Sequence, residues 1–303
     1  VLKFNKYNYN GEKVYFTERR VVNLALVTMK KLLCEAERKK VAVGAFSVGN
    51  MEMVMGAVRA AEELNTPIIL QIAEVRLKNS PLELMGPMMI AAAKNSKVDI
   101  AVHLDHGLKF ETVQKALELG FTSVMFDGSL LELDENIKQV HAVVAEAYKY
   151  GATVEAELGV VGGNEGEGKK HEILCTRPDD AVKFCKETGV DALAVAIGNA
   201  HGNYPVSPEL RFDVLEEIYN KVSTPLVLHG GTGISDGQFQ HAIKLGVRKI
   251  NIATASFDHL AQYAKAYCDT KEKANYFELS AQEVQGVYEN VKRHIKVFNF
   301  IND

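Results

Sequence analysis

Eight short runs rich in valine, isoleucine and leucine recur along the chain, and segments of helical period lie between them. The runs cover 41–46 (VAVGAF), 66–72 (TPIILQI), 99–105 (DIAVHLD) and 122–127 (TSVMFD). They continue at 153–159 (TVEAELG), 191–198 (DALAVAIG), 225–230 (PLVLHG) and 248–254 (RKINIAT). Most are apolar almost throughout, which suits parallel strands covered on both faces. The segments NMEMVMGAVRAAEELN, KFETVQKALELG, DENIKQVHAVVAEAYKYG, PDDAVKFCKETG and SDGQFQHAIKLG have helical spacing, and the last four end in a glycine that stops a helix. Eight such units predict an α/β fold, a (β/α)8 TIM barrel. A doubly wound open sheet is the alternative, but the loop after the first strand, FSVGNME, is not G-x-G-x-x-G. An extra N-terminal helix, from NLALVTMKKLLCEAERKK, should cover the barrel floor. C-terminal helices from SAQEVQGVYENVKRHIKVF should dock outside. Residues 1–23 read as an N-terminal extension and 24–303 as the barrel domain.

The length of 303 residues, 47% of them hydrophobic, suits one domain of this size. A formal net charge of −4 with no basic block argues against nucleic acid as a partner. Cys34, Cys175, Cys185 and Cys268 include no C-x-x-C pair, as expected for a reduced cytoplasmic protein and not a disulfide scaffold or thiolate zinc site. The longest apolar stretch, Leu84 to Ala93, is too short for a bilayer, which needs about 20 residues. The polar, charged start of the chain is not a secretory signal.

Active sites of such barrels form at the C-terminal ends of the strands. There the third run ends in Asp105-His106, the fifth holds Glu155 and Glu157, and the loops after the sixth and seventh carry His201 and His229. His106, His201 and His229 are each followed by glycine, and three imidazoles with an open position form a catalytic zinc site. The seventh run leads into HGGTG, where Gly230, Gly231 and Thr232 precede a helix. Such a loop either cradles a phosphate or is simply a tight turn. The loop GGNEGEGKKHE cannot bury apolar surface; it is a solvated linker unless one of its carboxylates does chemistry.

The motifs VHLDHG, VEAELGVVGG, AVAIGNAHGNY, LVLHGGTG and KINIAT, in this order, resemble those of the class II, metal-dependent ketose-bisphosphate aldolases, from about Thr28 to about Phe298. The resemblance implies a zinc-dependent, reversible aldol cleavage of a fructose- or tagatose-bisphosphate-like ketose to dihydroxyacetone phosphate and an aldehyde. It implies Zn2+, or another divalent metal, at His106, His201 and His229, with Glu157 able to approach it. Asp105 would handle the C4 hydroxyl proton, Glu165 the proton on the nucleophilic carbon, and Asn251 the enediolate. Gly202, Gly230, Thr232 and Thr254 would cradle the phosphate beside a monovalent cation. His103 has no direct role in the family. The implied partner is a small sugar phosphate, and the implied assembly a homodimer or homotetramer.

The chain departs from the family at Ser47 (usually Asn), Ala73 (often Ser) and Pro205 (often Lys). Ala253 is common in tagatose-type members, and Gln282 stands where an arginine often grips the second phosphate. The expectation is weak discrimination between a ketose 1-phosphate and its bisphosphate, with a lean toward tagatose-like sugars. Activity on a ketose monophosphate or a sugar-acid phosphate, and non-catalytic sugar-phosphate binding, are the alternatives. A metal-dependent hydrolase would want an H-x-H pair on the first strand, and a class I aldolase a lysine at the end of the sixth; neither is present.

Overall fold

The computed structural model describes residues 3–7, 13–16, 25–163, 174–202 and 208–302. In chain order it begins with β1 (Lys3–Tyr7), β2 (Lys13–Phe16), α1 (Met29–Lys39), β3 (Val43–Ser47), α2 (Met51–Glu63), β4 (Ile68–Ala73) and a 3-10 turn (Glu74–Arg76). Next come α3 (Leu82–Asn95), β5 (Ile100–Gly107), α4 (Phe110–Glu118), β6 (Ser123–Phe126), α5 (Leu133–Tyr148), β7 (Thr153–Leu158) and β8 (Gly162–Gly163). The rest are α6 (Pro178–Thr188), β9 (Ala192–Val195), β10 (Ala200–His201), α7 (Phe212–Lys221), β11 (Leu226–Leu228), α8 (Asp236–Lys244), β12 (Val247–Ile252), α9 (Thr254–Asp269) and α10 (Tyr276–Phe298).

The expected barrel is present. Eight strands close in the order β11-β12-β3-β4-β5-β6-β7-β9, every neighbour parallel. The sixth and seventh runs are shorter than the sequence suggested, because Gly198 and Gly230 turn the chain away at φ 97 and 64. β1 and β2 form an antiparallel pair inside the stretch read only as an extension. Among the described residues no helix is long and apolar enough to cross a membrane.

Strand alternation decides what fills the barrel. Val43, Ala45, Ile69, Ala101, Ala192, Ala194 and Val227 point inward and meet Met29, Leu32, Leu33 and Ala36 of α1. Those four recur at i, i+3, i+4 and i+7, one helix face, so α1 plugs the floor as expected. Truncating Leu32 or Leu33 would cost about 2–5 kcal/mol. The alternate residues, such as Leu70, Val102, Leu104, Val154, Ala156, Leu193 and Ile250, pack outward under the helices. Higher in the barrel the inward set turns polar: Gln71, His103, Ser123, Glu155 and Lys249, all buried. α10 packs across α2 and α9, outside the barrel.

On α10, His294 is buried among Phe46, Phe239 and Phe298, with ring centroids 6.5, 6.1 and 5.6 Å away. Its Nδ1–H donates to the Asn290 carbonyl (2.8 Å), and Arg293 lies 3.2 Å from Nε2. Burial first, and the Arg293 charge with it, outweigh that hydrogen bond and push its pKa down from 6.5 to about 3. The unfolded imidazole takes up a proton near 6.5 and the folded one only near 3. Acid between those values therefore favours the unfolded chain, and the stability is fully present only above the upper one. By pH 5 the loss from this residue is about 2 kcal/mol. Denaturant unfolding of His294→Leu should show a correspondingly shallower loss between pH 7 and pH 5; parallel curves for variant and wild type would refute this.

Candidate active site

At the top of the barrel the structure brings together His106, Glu157, His201 and His229, whose potential ligand atoms all lie within 4.8 Å of one another. The ring centroids of the three histidines are 4.6 to 5.9 Å apart. Glu157 is an inward position of β7, and His229 follows β11 on its inward side. His201 sits in β10, which pairs in parallel with Gly162–Gly163. That short ladder ties the chain carrying His201 to the start of the glycine-rich loop. Glu165 in that loop, and Pro205, lie outside the described residues.

Consecutive residues on a strand normally face opposite ways, yet Asp105 and His106 converge, with Asp105 Oδ1 4.0 Å from His106 Nε2. The cause is a break in register between Leu104 and Gly107 in the β5–β6 ladder. His106 there adopts φ +42, a left-handed conformation that costs a non-glycine residue about 1–3 kcal/mol. Asp127, just past β6, accepts from His106 Nδ1–H at 2.7 Å and holds the ring, directing Nε2 to the cluster. Burial pushes the Asp127 carboxyl up, but the hydrogen bond and charge of His106 outweigh it and hold it well below the usual carboxylate range.

His229 is held in the same way. Its Nε2–H donates to Glu155 Oε1 at 2.8 Å, and its Nδ1 lies 3.2 Å from Glu157 Oε2. Neither His229 Nδ1 nor Glu157 Oε2 has a hydrogen-bond partner, although both are buried. Burial lowers the His229 pKa, but Glu155 and Glu157 outweigh it and raise it to about 9. Glu155 in turn is buried, which raises its pKa, but Lys249 and His229 hold it well below the usual range. Three carboxylates, Asp105, Glu155 and Glu157, are buried here, and among the described residues Lys249 is the one buried lysine. A divalent cation would supply the positive charge that a proton on His229 otherwise supplies, and it would take up the two unbonded atoms. The donor set therefore fits a divalent metal: three imidazoles, one carboxylate, and carboxylate partners behind two of the imidazoles.

Asp105 sits beside this cluster with both oxygens engaged. Oδ1 accepts from Asn251 Nδ2 (3.0 Å) and Oδ2 from Gln71 Nε2 (2.9 Å); Gln71 Nε2 also reaches Ser47 Oγ (3.2 Å). Lys249 Nζ donates to Asn251 Oδ1 (2.7 Å), which fixes the amide with its nitrogen toward Asp105. His103 points into the same interior but bonds Ser123 (2.9 Å). Its pKa is pushed well below 6.5, by burial first and by Lys249 next. Asp127 and Lys249 escaped the reading of strand ends, although a terminal Asp in TSVMFD and a Lys in KINIAT were visible signals.

A cleft opens above Asp105 and His201, lined also by Gly202, Gly230, Gly231, Thr232, Asn251 and Thr254. Thr232 Oγ1 accepts from the Ala255 N–H (3.1 Å), joining the HGGTG loop to the first turn of α9. Glycine loops at a helix N-terminus suit an anion. Gly230 has φ +64, and a Cβ on it would stand 2.1 Å from the Ala200 carbonyl oxygen. Gly230→Ala should therefore cost about 2 kcal/mol and move His229 against His201. Thermal unfolding and equilibrium zinc titration would check it; an unchanged midpoint with full metal binding would contradict it. Gln282 is not in this cleft. It lies on α10 in a surface depression with Gln262, Tyr263, Ala266, Tyr267 and Thr270.

Residues 27–303 match the family described as fructose-bisphosphate aldolase class-II. A fructose-bisphosphate aldolase of Geobacillus stearothermophilus is 41% identical over 240 residues, 76% of this chain and 82% of that protein. A sulfofructosephosphate aldolase of Alkalicoccus urumqiensis is 39% identical over 233 residues, 76% of this chain and 81% of that one. The crystal structure of the YdjI aldolase from Escherichia coli K12 superposes with a TM-score of 0.81 at 34% identity, over 90% of this chain and 97% of that chain.

Proposed function

The chain belongs to the class II fructose-bisphosphate aldolase family and is a class II aldolase; on that footing we propose that it is a zinc-dependent enzyme cleaving a phosphorylated ketose between C3 and C4. The products are dihydroxyacetone phosphate and an aldehyde, and the reaction runs both ways. One observation carries this reading. His106, His201, His229 and Glu157 offer metal-ligand atoms within 4.8 Å of one another, directly beside the Asp105 carboxylate.

His106, His201 and His229 would hold the zinc ion, with Glu157 able to join them. When bound, the ion polarises the ketose carbonyl and stabilises the enediolate, an effect of several kcal/mol. Asp105 takes the proton from the C4 hydroxyl as the C3–C4 bond breaks, and the aldehyde leaves. Asn251, held by Lys249, donates to the enediolate oxygen. Glu165 returns a proton to C3. The backbone of Gly202, Gly230 and Gly231, with Thr232 and Thr254, anchors the C1 phosphate. A monovalent cation beside that phosphate and a homodimeric or homotetrameric assembly belong to the same reading.

The test is to incubate the purified protein with ketose 1-phosphates and 1,6-bisphosphates of the fructo and tagato series and to follow release of dihydroxyacetone phosphate. Turnover should vanish on dialysis against a chelator and return with zinc. Full activity in metal-free protein, or no dihydroxyacetone phosphate from any of these ketoses, would refute the proposal.

A further inference from the structure

We propose that Asn290, on the outer helix α10, is a positioning residue for phosphate binding: its buried hydrogen bond to Ser256 sets the first turn of α9 against the cleft. This rests on the aldolase reading above, in which that turn helps to hold the C1 phosphate, and it names the side chain that aims the turn.

α9 has no side-chain cap of its own. Its N-cap position is Ala253, which offers no hydrogen bond. Ala253, Thr254 and Phe257 line the cleft, whereas Ser256 is fully buried and faces α10. Thr232 holds the turn from the cleft side, through the Ala255 N–H. From behind, Asn290 Nδ2 donates to Ser256 Oγ at 2.9 Å, and both residues are buried. The turn that carries Thr254 is thus gripped from two sides, by Thr232 and by Asn290.

The same contact fixes how α9 and α10 run past each other. One turn before Asn290, Gly286 faces the His259 carbonyl; a Cβ on it would stand 2.6 Å from that oxygen. Gly286 opposite His259 and Asn290 opposite Ser256 describe one antiparallel register. On its other flank α10 lies as close to α2, where a Cβ on Gly56 would stand 2.7 Å from the Val284 carbonyl oxygen. One turn after Asn290, His294 Nδ1–H donates to the Asn290 carbonyl (2.8 Å) from among Phe46, Phe239 and Phe298. α10 cannot slide without opening these contacts, and Asn290 passes its fixed position on to α9. The amide is kept at a cost: Asn290 Oδ1 is buried with no hydrogen-bond partner among the described residues. What a buried polar pair contributes between two helices is a unique register.

The experiment compares wild type with Asn290→Leu, Ser256→Ala and Asn290→Leu/Ser256→Ala, all loaded with zinc. Solvent deuterium exchange at C3 of dihydroxyacetone phosphate needs no aldehyde and gives kcat and KM. Inorganic phosphate as a competitor gives Ki. Denaturant unfolding and zinc titration report on the fold and the metal. The double variant should be as stable as wild type or more so, because it leaves no polar atom of the pair behind. Its kcat and zinc affinity should stay at the wild-type level. Its KM and the phosphate Ki should rise together by about 10-fold, as for one weakened hydrogen bond to a charged group. Ser256→Ala should raise both constants by nearly as much, since one contact is lost in either case. Unchanged KM and Ki in a stable double variant overturn the proposal and leave the aldolase reading standing. So does a rise in KM matched by losses of zinc affinity and stability, which would make the pair merely structural. If the variants with leucine at 290 do not fold, Ser256→Ala decides by the same two constants. Absence of exchange in the zinc-loaded wild type overturns both readings.

Discussion

Asp105→Ala is expected to lower the rate of ketose cleavage by ~10²–10⁴-fold while leaving the metal bound. Two of the three histidines that would hold the ion take their orientation from carboxylates other than Asp105. His106 is fixed by Asp127 and His229 by Glu155. What the variant loses is the base next to the C4 hydroxyl. It also leaves Asn251 Nδ2 without its acceptor, whereas Gln71 keeps Ser47. A stability cost of about 1–3 kcal/mol accompanies the catalytic loss. The two effects separate in the assay. Dihydroxyacetone phosphate has no C4, so exchange at its C3 should fall far less than cleavage does. Exchange and cleavage falling together would move the base elsewhere, and near-normal cleavage would remove Asp105 from the mechanism.

The same contrast explains which parts of the site were legible in the sequence. Strand runs, helix stops and the His-Gly pairs are local signals: the first two mark the barrel, and the third marks three histidines that the structure gathers at the C-terminal rim. α3 is less obvious because Pro87 interrupts it, yet its buried Leu82, Met85, Met89, Ile90 and Ala93 have helical spacing. The convergence of Asp105 and His106 could not be read from the sequence. Alternation puts neighbours on opposite faces, and only the register break and the left-handed His106 reverse that. Asp127 and Lys249 act through other side chains. Asp127 at a strand end and Lys249 inside an apolar run stand out locally, but nothing local says which side chain each one holds. Gln282 was placed by analogy with a family position, and the packing of α10 against α9 puts it elsewhere.

Lys249→Met should be the most damaging of the interior substitutions, because of what it leaves behind. Lys249 Nζ lies 2.8 Å from Glu155 Oε2 and 2.7 Å from Asn251 Oδ1, and neither Lys249 nor Glu155 is exposed at all. Removing one partner of a buried pair strands the other charge, at a cost of roughly 3–5 kcal/mol. Replacing both with uncharged groups of similar size costs far less. Glu155→Gln/Lys249→Met should therefore recover most of the stability lost in Lys249→Met, as measured by denaturant unfolding in chelator so that metal binding does not contribute. Activity should not recover with it. Without the ammonium on Oδ1, the Asn251 amide is no longer fixed with its nitrogen toward Asp105. A neutral amide in place of the Glu155 carboxylate also holds His229 less firmly. A stable but slow double variant would show that the buried charge pair serves the alignment of Asn251 and His229. Equal instability in single and double variants would show instead that Lys249 matters mainly for the volume it fills.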